Sequence, residues 1–281
     1  MRPRAFTILA DYAEPDLLAA LAEGMSLIAE HVAALETAAQ HQTGPYAARA
    51  SAAIRVVADD EAGKYLVLLD VARCARQTVD HKKRQLRRCG NHVAKGIYAK
   101  AVDMRPATYG ELIRYVGQLR QSHYLDGPND VDWIFRNEIE AEREDRLYVD
   151  FVDTDEGTDW ISPERFDTLG FDMPSGAVRL VAAMHQAGFS TPTGLSIVAD
   201  VWRDFVPEDD THWGEVANRS RETLKRMEAA GVPAQATEAD QYRIVDTWSY
   251  PLHQTAPEKG KEKAEVDPND LRRQQEWDPS P

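Results

Sequence analysis

Pro15-Asp16-Leu17-Leu18-Ala19-Ala20-Leu21-Ala22-Glu23-Gly24-Met25 opens the stretch that decides the fold. Through to Gln40 the apolar residues Leu18, Leu21, Met25, Ile28, Val32 and Leu35 alternate between spacings of three and four. That pattern lays one apolar stripe along an α-helix about 25 residues long. Gln42-Thr43-Gly44-Pro45 then breaks the pattern, and four such residues suit a tight link between antiparallel helices. A second helix is expected from Tyr46 to Cys74, with Tyr46, Ala50, Ala53, Val57 and Leu68 on its packed side.

The rest of the chain reads outward from this pair. A third helix is expected over Lys82 to Val102, where Leu86, Val93 and Ile97 fall near one side with Cys89 and Gly90 beside them. Thr108-Tyr109-Gly110-Glu111 reads as a capping box that starts a fourth, followed by Leu112, Val116 and Leu119. A fifth, charged helix is placed at Asp130 to Asp145, anchored by Trp133 and Ile134. Leu147 to Val152 alternates like a strand, and the turn-rich Asp153 to Thr158 leads to Trp160-Ile161, so a small β-hairpin is expected there. Further helices are expected near Ser175–Ala187, Thr193–Phe205 and Trp213–Ala230. The fold class is mainly α: an antiparallel helical bundle over residues 1–165 with a small hairpin, then a helical C-terminal region over 166–253. Residues 254–281 are rich in Lys, Glu, Pro and Gln with almost nothing apolar before Trp277, which suits a disordered charged tail.

With 281 residues and 43% hydrophobic content the chain can fill a core, so wholesale disorder is excluded. No run approaches eighteen consecutive apolar residues, and Phe6-Thr7-Ile8-Leu9-Ala10 is too short for a secretion signal. A cytoplasmic protein with no membrane partner is expected. Cys74 and Cys89 have no CxxC or His-rich neighbourhood, so they are read as packing thiols, without a metal site or a disulfide. His185 and His212 are read as ordinary surface or core residues.

A net charge of −14 argues against nucleic acid as a partner. The distribution reverses that argument locally. Arg73, Arg76, Lys82, Lys83, Arg84, Arg87, Arg88, Lys95 and Lys100 face a single acid, Asp80, so residues 73–100 carry +8. Such a segment can hold an anion, or it can be a solvated helix face.

The second helix places Asp60, Glu61 and Lys64 where its packed side should be apolar. Intrahelical pairs, Asp60 with Lys64 or Glu61 with Lys64, would satisfy them, and a functional role is the alternative. Gly63 between them costs the helix about 1 kcal/mol relative to Ala, which makes sense if another backbone approaches closely.

Glu23-Gly24-Met25, Tyr46-Ala47-Ala48-Arg49 and Asp60-Glu61-Ala62-Gly63-Lys64 together resemble the AbiV family of bacterial abortive-infection proteins, within the wider HEPN group of helical domains. His92-Val93-Ala94-Lys95, Leu147-Tyr148-Val149-Asp150-Phe151, Trp160 and Ser162-Pro163 continue the resemblance, which covers residues 15 to 165. It implies an HEPN-like antiparallel bundle, commonly a homodimer. In many members the group is an endoribonuclease that works without metal or other cofactor, with an Arg, four to six intervening residues, and then a His. Three such spacings occur, Arg76 to His81, Arg87 to His92 and Arg179 to His185, and the resemblance selects the second.

The chemistry explains the residue types. Histidine moves protons near neutral pH, and arginine's planar fork stabilises charge on a phosphate. At about 100° per residue Arg87 and His92 lie about 140° apart on a straight helix, whereas Arg88, His92 and Lys95 share a face. Arg87 can contribute if the helix is distorted at Gly90 or the site is shared across a dimer. The catalytic expectation is therefore His92 with Arg87 or Arg88. Asn91, Lys95 and Arg84 would assist in holding RNA, and Glu61 and Lys64 would shape the site from the neighbouring helix. Two non-enzymatic readings stand beside it: the basic face binds RNA, a nucleotide, or a phage or host protein, or it contacts the acidic segment Asp130 to Asp155.

Overall fold

Pro15 in the first turn, with Glu14 and Asp16 beside it, opens α1 (Glu14–Gln40), since proline's fixed φ and carboxylates both suit a helix N-terminus. The computed structural model describes residues 5–125, 134–154, 157–161, 173–232, 235–247 and 250–258. The stripe of α1 is buried at Leu17, Leu18, Leu21, Met25 and Val32, with Ile28 and Leu35 packed at its edge. It lies against α2 (Ala47–Arg73). Contacts at the two ends fix the direction: Ser51 Oγ donates to the Ala39 carbonyl near the link, and Arg76, just past α2, pairs with Glu14. The two helices are therefore antiparallel, as the Gly-Pro break predicts. By length and composition α1 could cross a membrane, with a mean hydropathy of 1.4 over its most apolar window; in this fold its stripe packs on α2 and α8 (Pro192–Trp202).

The packed side of α2 differs from the expected one. Tyr46 is 70% exposed and Val57 is also exposed, while Ala58, Ala62, Tyr65 and Leu69 are buried. From Tyr65 to Arg73 every residue is buried, because helices lie on several sides of this half of α2. These are α1, α4 (His92–Met104), α7 (Gly176–Gln186) and α8.

The single helix expected over Lys82 to Val102 is two. α3 runs from Val79 to Arg87, a 3-10 turn covers Arg88–Gly90, and α4 begins at His92. Asn91 is the cause: its backbone is extended (φ −105, ψ 118) and its side chain accepts the Ala94 N–H at 2.9 Å. Asparagine caps helices well and glycine weakens their interior, so Gly90-Asn91 restarts the helix.

α5 (Tyr109–Leu119) starts at Thr108 as predicted, and the Thr108 hydroxyl accepts the Glu111 N–H. The Glu111 carboxylate reaches one residue further back than a standard box, to the Ala107 N–H. Strands β1 (Ser122–Leu125) and β2 (Ile134–Asn137) form an antiparallel pair. α6 (Glu138–Leu147) starts eight residues later than expected because Asn137 caps it, accepting from the Ile139 N–H. Trp133 lies outside the described residues. β3 (Asp150–Thr154) and β4 (Gly157–Ile161) form a second antiparallel ladder, with Phe151 opposite Trp160 and their exposed rings 5.2 Å apart. Ser162 and Pro163 lie outside the described residues.

The C-terminal helices α7, α8, α9 (Trp213–Ala229) and α10 (Glu238–Thr247) do not build a separate core. One continuous apolar cluster runs from Ala10 through Leu69, Ile97 and Leu180 to Leu252. Residues 254–258, expected to open a disordered tail, pack against the bundle instead. Gln254 donates to the Phe205 carbonyl, and Glu258 pairs with Arg88. Residues 250–258 form a strap across the bundle, anchored at Asp70: its carboxylate accepts the Leu252 N–H at 2.6 Å and the His253 N–H at 3.0 Å. Residues 259–281 lie outside the described residues.

Candidate active site

Gly63 sets the distance between α2 and α4. A Cβ there would stand 2.3 Å from the Lys95 carbonyl oxygen, so only a residue without one lets the two backbones meet. This is the close approach its sequence context suggests. The crossing brings Asp60 of α2 against the first turn of α4. Asp60 Oδ2 lies 2.7 Å from His92 Nδ1, 3.0 Å from Lys95 Nζ and 3.9 Å from Arg143 Nε of α6. Asp60 therefore pairs across helices, while Lys64 pairs with Glu61.

A carboxylate can only accept, so His92 donates its Nδ1 proton to Asp60, which leaves Nε2 as the ring nitrogen turned away from the carboxylate. The His92 side chain is 43% exposed, so solvent can reach it. Lys95 is the reverse, 4% exposed; burial lowers its pKa, and the Asp60 carboxylate opposes that shift. Beside Asp60 a cleft of about 90 Å³ is lined by Asp59, Lys100, Glu142, Arg143 and Arg146 among others. Burial raises the pKa of Asp59, with a hydrogen bond to Ser175 and the Arg146 charge acting the other way.

The expected site residues separate into three groups. His92 and Lys95 meet on Asp60, with the Glu61–Lys64 pair close enough to act on Lys95 electrostatically. Asn91 is the cap that orients this end of α4. Its replacement by Ala costs about 1 kcal/mol of stability in urea denaturation, and Asn91→Asp, which keeps an accepting oxygen, restores most of it.

Arg88 leaves the site. It is 1% exposed and points inward, donating to Glu258, Gln85 and the carbonyls of Leu252 and Thr255. The shared face expected for Arg88, His92 and Lys95 requires one straight helix, and the restart at Asn91 removes it. Arg84 and Arg87 remain exposed; a guanidinium nitrogen of Arg84 stands 3.5 Å from His81 Nδ1.

Much of the basic segment is neutralised from within. Arg73 pairs with Asp70, Arg76 with Glu14 and Asp200, Lys83 with Asp11, Arg88 with Glu258, Lys95 with Asp60, and Lys100 with Glu138 and Glu142. Among the described residues Lys82, Arg84 and Arg87 make no such pair, and Lys82 is buried. Two arginines thus carry the outward field. The acidic carboxylates of α6 reach Lys100 and leave His92 exposed.

Sequence reasoning missed Asp60 as the histidine's partner, and Arg143 and Arg146 altogether. Spacing along one helix carries no signal for a pair formed between helices. Of the other Arg-His spacings, Arg76 is held by Glu14 and Asp200, and His185 is hydrogen-bonded to Ser190. No protein-family model, curated protein or solved structure matches the chain.

Proposed function

We propose that the chain is a metal-independent endoribonuclease of the HEPN kind that acts in the cytoplasm during abortive infection, cutting RNA and so halting translation in a phage-infected cell. The observation that carries this reading is the Asp60–His92 hydrogen bond of 2.7 Å on a histidine whose ring is open to solvent. Asp60 holds the ring in one tautomer. His92 Nε2 then takes the proton of a ribose 2′-OH as that oxygen attacks the adjacent phosphorus. The new bond is phosphorus to O2′ and the bond broken is phosphorus to O5′. The protonated ring returns its proton to the departing 5′-oxygen, leaving a 2′,3′-cyclic phosphate and a 5′-hydroxyl. Arg87, the motif arginine left exposed by the break in the helix, supplies the cation for the charged phosphate. A homodimer would add a second copy of these groups.

Purified protein incubated with total RNA without metal ions is expected to cleave it, and His92→Ala lowers the rate about a hundredfold or more. Equal survival of RNA with the wild type and His92→Ala overturns the reading.

The two exposed arginines favour one alternative, an RNA-holding module without catalysis. Its signature is a salt-dependent electrophoretic shift that is lost in Arg84→Glu/Arg87→Glu and unchanged in His92→Ala.

A further inference from the structure

Cys74 and His81, at the two ends of the α2–α3 connection, converge with His253 of the distant strap. Cys74 ends α2 and is buried. His81 sits in the first turn of α3, half-buried. His253 belongs to the strap and is buried. One sulfur and two ring nitrogens lie within 4.8 Å of one another. His81 Nε2 and His253 Nδ1 are 3.1 Å apart, and the rings meet edge to face.

We infer that Cys74, His81 and His253 form a zinc site that clasps the strap to the end of α2 and the start of α3. The donor set is the reason for the metal. One thiolate and two imidazoles suit Zn²⁺ better than the oxygen-loving Mg²⁺ or Ca²⁺. Geometry agrees: with Zn–N of about 2.0–2.1 Å, two imidazole nitrogens on a tetrahedral ion stand about 3.3 Å apart. The observed 3.1 Å is close to that separation, and small side-chain rotations bring in the sulfur. Three protein donors leave one position for water.

The surroundings prepare the ligands. Asp70 accepts the His253 N–H, which fixes that ligand's backbone, and supplies a negative charge near all three side chains. The metal displaces the Cys74 thiol proton, as coordination does outright.

The exchange balances as follows. Zn²⁺ takes the place of the Cys74 thiol proton, which leaves to solvent, and a sulfur–zinc bond forms. The Arg84 contact on His81 Nδ1 puts the His81 proton on Nε2. On loading, the exposed Arg84 side chain leaves Nδ1, the proton moves there, and Nε2 turns to the metal. One proton is released per zinc, with no change of oxidation state.

The test uses the full chain without an affinity tag, stripped with a chelator and dialysed. Zinc titrated against a chromophoric chelator is expected to bind one equivalent per chain. Cobalt in its place gives a sulfur-to-metal charge-transfer band, and loading slows proteolytic cleavage within residues 250–258. Cys74→Ser abolishes the band, and His253→Gln or the less buried His81→Gln weakens binding at least about tenfold, with circular dichroism confirming that each apo variant is folded. Absence of saturable binding overturns the inference. So does a double variant Cys74→Ser/His81→Gln that binds zinc as the wild type does, or cobalt loading without the sulfur band.

Discussion

Asp70→Ala destabilises the fold by about 3–5 kcal/mol, read as a lowered urea midpoint, and makes residues 250–258 newly sensitive to protease. Asp70 is 1% exposed and its two oxygens serve four donors. Oδ1 accepts from Arg73 at 2.8 Å, and Oδ2 accepts from the Tyr98 hydroxyl at 2.8 Å and from the backbone of Leu252 and His253. Truncation takes the Asp70 carboxylate away from the buried Arg73 and from two strap N–H groups, and removing one member of a buried ion pair is the larger of these penalties. The Arg73 guanidinium stacks 4.1 Å over the Trp202 ring, which softens the loss without replacing the carboxylate. Asp70→Asn keeps an accepting oxygen and costs less. A midpoint unmoved by Asp70→Ala would show that the strap is held by its contacts with Arg88 and Phe205 and by Tyr250 and Leu252, without Asp70.

Gly63→Ala costs about 3 kcal/mol and, under the proposed function, abolishes RNA cleavage in the fraction that folds. Helix propensity alone favours Ala by about 1 kcal/mol, so the sign is decided by packing. The added methyl meets a backbone carbonyl, the Lys95 oxygen at 2.3 Å, and a carbonyl cannot swing aside as a side-chain tip can. Relief requires α4 to retreat by about 1 Å, which draws His92 and Lys95 away from Asp60. Gly24→Ala is the control: nothing lies within 4 Å of its added carbon, so it stabilises by up to about 1 kcal/mol. Equal stability of Gly63→Ala and Gly24→Ala would remove the close crossing from the account.

The parts of the fold that were legible rest on local signals. The α1 stripe, the Gly44-Pro45 break and the Thr108 cap each act within a few residues of themselves, and each appears where it was read. Gly63 was legible too, because a costly glycine in a helix interior points to a neighbour. Helix α3 and helix α4 were merged because Leu86, Val93 and Ile97 keep helical spacing across a break that only Asn91, as a capping residue, betrays. That merger is what put Arg88 beside His92. The apolar side of α2 was misjudged because small residues, Ala58 and Ala62, mark it, whereas the larger Tyr46 and Val57 drew the eye. Asp60 with His92, Asp70 with the strap, and Cys74 with His253 are pairs between distant segments, so periodicity has no means of announcing them.

The strap has a kinetic consequence. The hydrogen bonds from Leu252 and His253 to Asp70 close loops of 182 and 183 residues. At a synthesis rate of about 5–20 residues per second, Asp70 exists for roughly 9 to 36 seconds before its backbone partners are made. Throughout that interval the nascent chain carries Asp70 and Arg88 without the strap that covers them, and contacts of such long sequence separation form late. The core of this bundle is therefore closed only after helices α1 to α10 have been made, by the segment that follows them.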